Sequence, residues 1–227
     1  MPAVTSPTAT LRAIGVAAAV ACVASLPRNA SADEPAAFDA RTAEIQAILD
    51  ATQGPSRLWY YGWLSAYSAS TIAQGVVWGA TTDAPLRAGA RVGTVTSAIG
   101  VISTLVMPTP FVNAASRLRR APAATPLERA DKAKLAEALL ASSAEAQRDG
   151  RSVWMQLGGL LVNGGAGLYL WLHDDQAAQG ALAFAGGMAV CELQIFTQPM
   201  GAARAAVDRA SVWVVPTLGG ASVVGQF

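Results

Sequence analysis

Charged side chains are scarce in this chain. Asp, Glu, Lys and Arg make up 14% of its 227 residues, against about 25% in a typical soluble domain. Hydrophobic residues make up 52%, and the mean hydropathy is +0.35. The 16 Lys and Arg are scattered and nearly balanced by 15 Asp and Glu, so there is no basic stripe of the kind that a phosphate backbone requires. This composition favours a membrane protein and argues against nucleic acid as a partner.

Residues that bind metals or act as nucleophiles are also few. Cys22 and Cys191 are the only cysteines, too few for a disulfide framework, and His173 is the only histidine. The segment HDDQ, residues 173–176, has metal-ligand residue types, but it separates two apolar runs, where a solvated turn is the usual structure. No GxSxG, HExxH, Walker or CxxC pattern occurs. We therefore expect no metal site, no cofactor and no enzymatic activity.

The N-terminus has the pattern of an export signal. Arg12 precedes an apolar stretch of 14 residues, AIGVAAAVACVASL, and the small residues NASA follow. Such a stretch is shorter than the roughly 20 residues of a membrane span, which favours a cleaved signal peptide over residues 1–32. The alternative is that AVAC is a lipobox, which would leave Cys22 lipidated. Either route places the mature protein in a bacterial cell envelope.

Four long segments contain no charged residue. They are residues 58–82, 92–116, 153–172 and 176–191. The first three meet or approach the length needed to cross about 30 Å of hydrocarbon, and the fourth does so if Glu192 is counted inside it. Trp and Tyr collect near the segment ends, as in interfacial belts. We predict an all-α, integral membrane four-helix bundle; the alternative is a soluble exported bundle of buried helices.

An internal duplication organises the chain. Pro199 follows Pro108 by 91 positions, and Gly180 follows Gly89 by the same interval. The pattern predicts two duplicated helical hairpins in one orientation, with amphipathic flanking helices. The predicted segments are a signal peptide (1–32), an amphipathic helix (33–56), a first transmembrane hairpin (57–116), a basic linker and amphipathic helix (117–151), a second transmembrane hairpin (152–203) and a tail with a short C-terminal β-hairpin (204–227).

Two further features concern topology and contacts. The linker at 117–151 carries eight basic residues and five acids, which favours the cytoplasm, whereas a cleaved signal places it and both mature termini in the periplasm. We give the signal peptide precedence over the basic linker, and we expect the protein to lie in the inner membrane.

Small residues at spacings of three and four, as in Gly89, Gly93 and Ser97, predict close helix packing or self-association. The β-branched runs around PTLGG predict the hairpin, a candidate docking strand for another envelope protein.

Glu192 is the residue least suited to its surroundings. Its counterpart in the first copy is Val101, so the duplicated hairpin does not need an acid there. Glu192 lies seven residues before Pro199, about 10 Å inside the helix end. An unpaired charge at mid-bilayer costs about 2.5–3.5 kcal/mol. A partner or a proton is therefore expected.

The candidate polar site follows from the direction of each span. Its members are Glu192, Gln194, Gln156, Asn163, Arg151 and Arg57. One interpretation is an ion pair or hydrogen bond that fixes helix register, with Arg57, Tyr60, Arg151 or Gln156 as the partner of Glu192. The other is a protonatable or ion-binding site. The sequence thus predicts a non-enzymatic envelope membrane protein acting as a scaffold or interaction partner; the alternative is a small transport or ion-permeation component that uses Glu192.

Overall fold

Helices dominate the chain. The structure is a computed structural model that describes residues 34–209, 211–217 and 220–226, so the predicted signal peptide and Cys22 lie outside the described residues. The predicted helical class is confirmed. In chain order the elements are α1 (Glu34–Ala80), α2 (Ala84–Val106), a short 3-10 helix (Pro110–Val112), α3 (Ala114–Arg120), α4 (Pro126–Asp149), α5 (Val153–Leu172), α6 (Ala177–Thr197), α7 (Gly201–Arg209), β1 (Ser211–Thr217) and β2 (Gly220–Gln226).

The first helix is much longer than any single predicted helix or span. α1 has 47 residues, about 70 Å at 1.5 Å per residue. It runs without a break through the predicted boundary at residue 57, with Pro55 inside the helix. A proline in a helix interior removes one backbone hydrogen bond, a loss that this helix tolerates. The predicted amphipathic helix and the first predicted span are therefore parts of one continuous helix.

The second predicted span has different limits in the structure. α2 begins at Ala84, where Asp83 caps the helix by accepting a hydrogen bond from the Leu86 backbone N–H, and it ends at Val106 rather than at residue 116. Pro108 and Pro110 follow, and proline cannot continue a helix. The charge-free run therefore contains a helix, a 3-10 turn and the start of α3.

The predicted surface helix in the linker has a buried face. α4 starts with a capping box, in which the Thr125 hydroxyl accepts from the Glu128 N–H and the Glu128 carboxylate accepts from the Thr125 N–H. Ala136, Leu139 and Ala144 are buried on this helix. This one-sided burial agrees with the amphipathic helix predicted for the linker, although Ser143 and Gln147 are buried together with the apolar residues.

The helices form two regions that differ in how many side chains they bury. We call residues 34–56 of α1, together with α3, α4 and α7, the cap. The cap has a conventional hydrophobic core, formed by Ile45, Leu49, Ala114, Ala115, Leu118, Ala136, Leu139, Leu140 and Ala202. We call residues 57–80 of α1, together with α2, α5 and α6, the bundle. In the bundle the helices bury few side chains, and none of the core cluster belongs to it.

The C-terminal tail contains a helix and a hairpin. α7 crosses the predicted boundary between the second hairpin (152–203) and the tail (204–227), and it packs Ala202 and Ala203 into the cap. Strands β1 and β2 then pair antiparallel, with Ser211 opposite Gln226 and Thr217 opposite Gly220. The tail therefore begins as part of the cap and ends as a two-stranded ribbon.

Two of the four predicted spans meet a membrane-span test. Within the described residues, α2 and α6 are long and apolar enough to cross a membrane by length and composition, whereas α1 and α5 are not. The polar residues Gln156 and Asn163 lower the hydropathy of α5. The test alone is weak evidence, because core helices of soluble proteins also pass it. Those core helices are mostly buried, however, while only 22% of the apolar window of α2 and 11% of that of α6 is buried.

Candidate functional site

Glu192 lies at the edge of the interface between α5 and α6. On α6, Gly187 packs against Asn163, and Cys191 packs against Gly159. Residues on a helix are separated by about 100°, so Glu192 projects to one side of this small-residue face. It is half-buried. Among the described residues it accepts no hydrogen bond and forms no ion pair.

The arginines predicted as partners of Glu192 are engaged elsewhere. Arg57 donates to the Val112 carbonyl at 3.2 Å and to Asn113 Oδ1 at 3.1 Å. Arg151 donates through Nη2 to the carbonyls of Phe196 and Gln198, at 2.7 and 2.8 Å. Neither of these two candidate partners forms a described contact with Glu192.

Helix ends explain where the arginines bind. The last carbonyls of a helix have no partner within it, and the C-terminal end carries partial negative charge. The carbonyls of Phe196 and Gln198 lie at the end of α6, and that of Val112 ends the 3-10 helix. A guanidinium group with five N–H donors suits such carbonyls. Each arginine thus fixes the end of the hairpin that its own span begins.

Gln194 is the member of the predicted site that joins helices most directly. Its Oε1 accepts a hydrogen bond from the Tyr67 hydroxyl at 2.7 Å, and its carbonyl accepts from Trp59 Nε1 at 3.0 Å. Trp63 Nε1 donates to Thr197 Oγ1 at 3.2 Å, one turn further along α6. Three aromatic residues of α1 therefore hold α6 in register, on the side of α6 away from Glu192.

The other two amides of the predicted site, Asn163 and Gln156, make no described hydrogen bond to another helix. Asn163 donates from Nδ2 to the carbonyl of Gly159, four residues earlier on α5, at 2.8 Å. Gln156 is half-buried and makes no hydrogen bond within the described part of the chain. Of the three amides, Gln194 is hydrogen-bonded to α1, Asn163 to the backbone of its own helix, and Gln156 to no described residue. None of the three forms a hydrogen bond with Glu192.

A second polar cluster lies between α1 and α2. Ser70 Oγ and Ser97 Oγ are 3.0 Å apart, and Gln74 Nε2 donates to Ser70 at 2.7 Å and to Ser97 at 3.2 Å. The sequence pattern places Ser97 in a small-residue packing stripe, and its hydrogen bonds were not predicted. Ser70 and Gln74 are four residues apart in an apolar run, and this spacing is the signal that could have identified the cluster.

The HDDQ turn takes part in an ion pair with α2. Arg91 donates to Asp174 at 2.7 Å, and its guanidinium lies 5.3 Å from the centre of the Tyr169 ring. The other neighbour of that ring is His173, at a centroid distance of 4.9 Å. In the described part of the chain no group of three or more His, Cys, Asp or Glu side chains could hold a metal ion. The turn thus ties the second hairpin to the first.

The hydrogen bond between Tyr67 and Gln194 has a measurable expected effect. We expect Tyr67→Phe to lower the free energy of unfolding by about 0.5–1.5 kcal/mol, because it removes the hydroxyl and leaves Gln194 Oε1 without this donor. The measurement is thermal unfolding of the full chain in detergent. Tyr61→Phe is the matched control, since Tyr61 is 53% exposed and its only described contact is with the Tyr60 ring. Equal losses in the two variants would contradict the prediction.

No protein-family model matches the chain, and no curated protein or solved structure shows significant similarity to it. The function is therefore argued from the geometry of its own residues.

Proposed function

We propose that the chain is a non-enzymatic membrane protein of a bacterial cell envelope that acts as a scaffold or interaction partner. The bundle crosses the inner membrane, and the cap lies in the aqueous phase beside it. The observation that carries this proposal is the placement of exposed apolar side chains. Among the described residues, the large exposed hydrophobic side chains all belong to the bundle except Phe38, Leu127 and Val207. Exposed apolar side chains in this number on one set of helices are typical of contact with lipid or another protein.

Polar groups inside the bundle support the same conclusion. Ser70, Gln74 and Ser97 hydrogen-bond to one another between α1 and α2, while Ile72 and Val76, on the outer side of α1, are 68% and 64% exposed. A soluble amphipathic helix has the reverse distribution, with its apolar stripe facing the core. In a membrane, polar side chains face the interior of the bundle.

The cap has the organisation of a water-soluble unit. The leucines and alanines of its core cluster are buried, and ion pairs lie on its surface, among them Arg41 with Glu137 and Arg129 with Asp39. These pairs are partly exposed, which is the usual place for such pairs in water. One chain thus carries an outward apolar surface and an outward charged surface, as expected of a protein at a membrane boundary.

Glutamines at corresponding positions, which bond to the backbone in opposite directions, support the proposed duplication. Gln53 donates to the Val112 carbonyl at 3.4 Å in the first half, and Gln147 accepts from the Ala203 N–H at 2.9 Å in the second. Gln147 follows Gln53 by 94 positions, and Ala203 follows Val112 by 91. Each copy thus uses a buried glutamine before its span to bind the backbone after its hairpin. We infer two duplicated hairpins that form a bundle of four membrane helices.

Membrane extraction tests the proposal directly. We expect the full chain to stay in the membrane pellet after alkaline carbonate treatment and to require detergent for release. Release into the supernatant without detergent would overturn the proposal in favour of a soluble exported bundle.

A paired reporter fusion at Ala124, between α3 and α4, then tests the orientation. Activity of the reporter that works only outside the cytoplasm is expected, since the cap and both mature termini are proposed to be periplasmic.

The lack of a described partner for Glu192 supports association of the chain with a second copy of itself. A half-buried carboxylate at the level of lipid is costly without a partner, and it finds none among the described residues. It projects between the buried Ile195 and the exposed Phe196, at the outer side of α6. We propose that a donor on a second copy of the chain completes this contact.

The oligomeric state tests this use of Glu192. We expect the wild-type chain to form a dimer or larger assembly in mild detergent, measured by light scattering, and Glu192→Gln to shift it towards the monomer. The amide keeps the shape of the side chain but removes its charge. Glu145→Gln is the matched control, since Glu145 is exposed on α4 in the cap. An assembly of unchanged mass in the Glu192 variant would show that the acid has another role.

A further inference from the structure

Three arginines converge on one serine where the cap meets the bundle. Ser116 Oγ lies 3.4 Å from Arg57 Nη2 and 3.3 Å from Arg119 Nη2, and the Ser116 carbonyl accepts from Arg120 Nε at 3.2 Å. Gln53 Nε2 also donates to Ser116 Oγ, at 2.8 Å. A hydroxyl oxygen has two lone pairs, so three donors compete for this one acceptor. The cluster contains more donors than acceptors.

The charges of the cluster are not balanced. Asp50 pairs with Arg119 and is the only acid in contact with the three arginines among the described residues. The three guanidinium groups and one carboxylate leave a net charge of about +2. Arg57, Arg119 and Arg120 are all exposed, so an anion can approach them from outside the protein.

The arginine cluster lies where the charge-free part of α1 begins. Arg57 directly precedes Leu58, which is 78% exposed and opens the charge-free part of α1. Asp50 is seven residues earlier on the same helix, about 10 Å further from the apolar region. The headgroup layer of a bilayer is about 5–8 Å thick on each side. A bundle that spans the membrane therefore places these arginines among the lipid phosphates.

The duplicated fold does not require the cluster. By the interval of 91 positions, the counterpart of Ser116 is Val207, which is exposed and apolar. Arg151, the counterpart of Arg57, uses Nη2 for backbone carbonyls alone. The second copy thus builds the same hairpin end without gathering other arginines.

We propose that Arg57, Arg119 and Arg120, gathered around Ser116, bind the phosphate group of an anionic phospholipid. This inference rests on the proposed function, because it needs the bundle in the bilayer. Guanidinium groups bind phosphate oxygens in a bidentate manner and keep their charge at any physiological pH. The site holds a lipid at the surface of the membrane beside the first hairpin.

The test measures binding of a fluorescent phosphatidylglycerol to the detergent-solubilised full chain, with phosphatidylcholine of the same chain length as the comparison lipid. We expect tighter binding of phosphatidylglycerol and an apparent Kd about fivefold weaker in Arg120→Gln, as a loss of about 1 kcal/mol per basic residue implies. Arg119→Gln, a second variant, is expected to behave alike. Arg117→Gln is the matched control, because Arg117 is exposed on the same helix and its side chain makes no described hydrogen bond with Ser116.

Several outcomes would overturn the inference. Equal binding of the two lipids, or an equal loss in Arg117→Gln and Arg120→Gln, would mean that only diffuse charge acts. Displacement of the lipid by an equal concentration of inorganic phosphate would assign the site to a free anion. Carbonate extraction of the membranes from which the chain is purified is done first. A chain that leaves the membrane without detergent overturns the proposed function and the lipid site together, whereas a retained chain without lipid preference overturns the lipid site alone.

Discussion

A Gly180→Ala substitution is expected to lower the free energy of unfolding of the bundle by about 1–3 kcal/mol. A Cβ atom at this position would meet the Gly167 carbonyl oxygen at 2.5 Å, and one at Gly167 would meet the Gly180 oxygen at 2.8 Å. Both obstacles are backbone atoms held by their own helices, so the clash cannot be relieved by a side-chain rotation. The methyl group must force α5 and α6 apart.

Separation of these helices has a larger consequence in lipid than in water. Transmembrane helices associate through van der Waals contact and hydrogen bonds, because lipid tails are as apolar as the helices themselves. In the proposed membrane setting, close approach at Gly167 and Gly180 therefore contributes to the stability of the second hairpin. The measurement is unfolding of the full chain in mixed micelles with increasing denaturing detergent, followed by helical circular dichroism.

The control for this prediction is Gly186→Ala on the same helix. No atom lies within 4 Å of a Cβ atom placed at Gly186, and the residue is exposed. Alanine is favoured over glycine in a helix by about 0.5–1 kcal/mol, so the control is expected to be neutral or slightly stabilising. Similar destabilisation by both substitutions would mean that helix contact at Gly180 is not as close as the structure has it.

Leu118→Ala is expected to destabilise the cap by about 2–5 kcal/mol. Leu118 has no exposed surface and packs in the core with Ile45, Leu49 and Ala115. Its loss removes apolar contacts and leaves a cavity between α1, α3 and α4, which the surrounding helices fill only in part. Thermal unfolding of the full chain in detergent measures the effect.

The comparison variant is Leu127→Ala in the first turn of α4. Leu127 is 72% exposed, so its truncation is expected to change the free energy of unfolding by no more than about 0.5 kcal/mol. A small effect at Leu118 would be evidence against the cap core described above. Together with Gly180→Ala, the pair also reports whether the cap and the bundle unfold in one transition, since α1 belongs to both.

Several features of the fold follow from local sequence alone. Long runs without charge favour helices of membrane length, and α5, Val153–Leu172, occupies the predicted segment 153–172. Asp83 and Thr125 mark helix starts because a short polar side chain satisfies free backbone N–H groups there. The prolines after α2 end that helix because proline cannot continue it. These signals involve neighbours in the chain, so they are readable from the sequence.

The candidate site was predicted less well for a physical reason. Composition and depth identified Glu192 as unusual, but they could not say which donors lie beside it. The tertiary structure directs Arg57 and Arg151 to helix-end carbonyls, and it directs Gln194 to Tyr67. Each of these contacts depends on the rotation of one helix against another, and a rotation of 100° exchanges one partner for the next.

The sequence by itself determined that the protein is helical and poor in charge, and it predicts an internal repeat, because each of these properties belongs to local composition or to spacing along the chain. Only the tertiary structure decided that α1 is one helix through Pro55, that the apolar side chains of the bundle face outward, and that three arginines meet at Ser116. Those features join residues as far as 63 positions apart, such as Gln53 and Ser116. Packing between helices sets such distances, and the order of residues along the chain does not contain them.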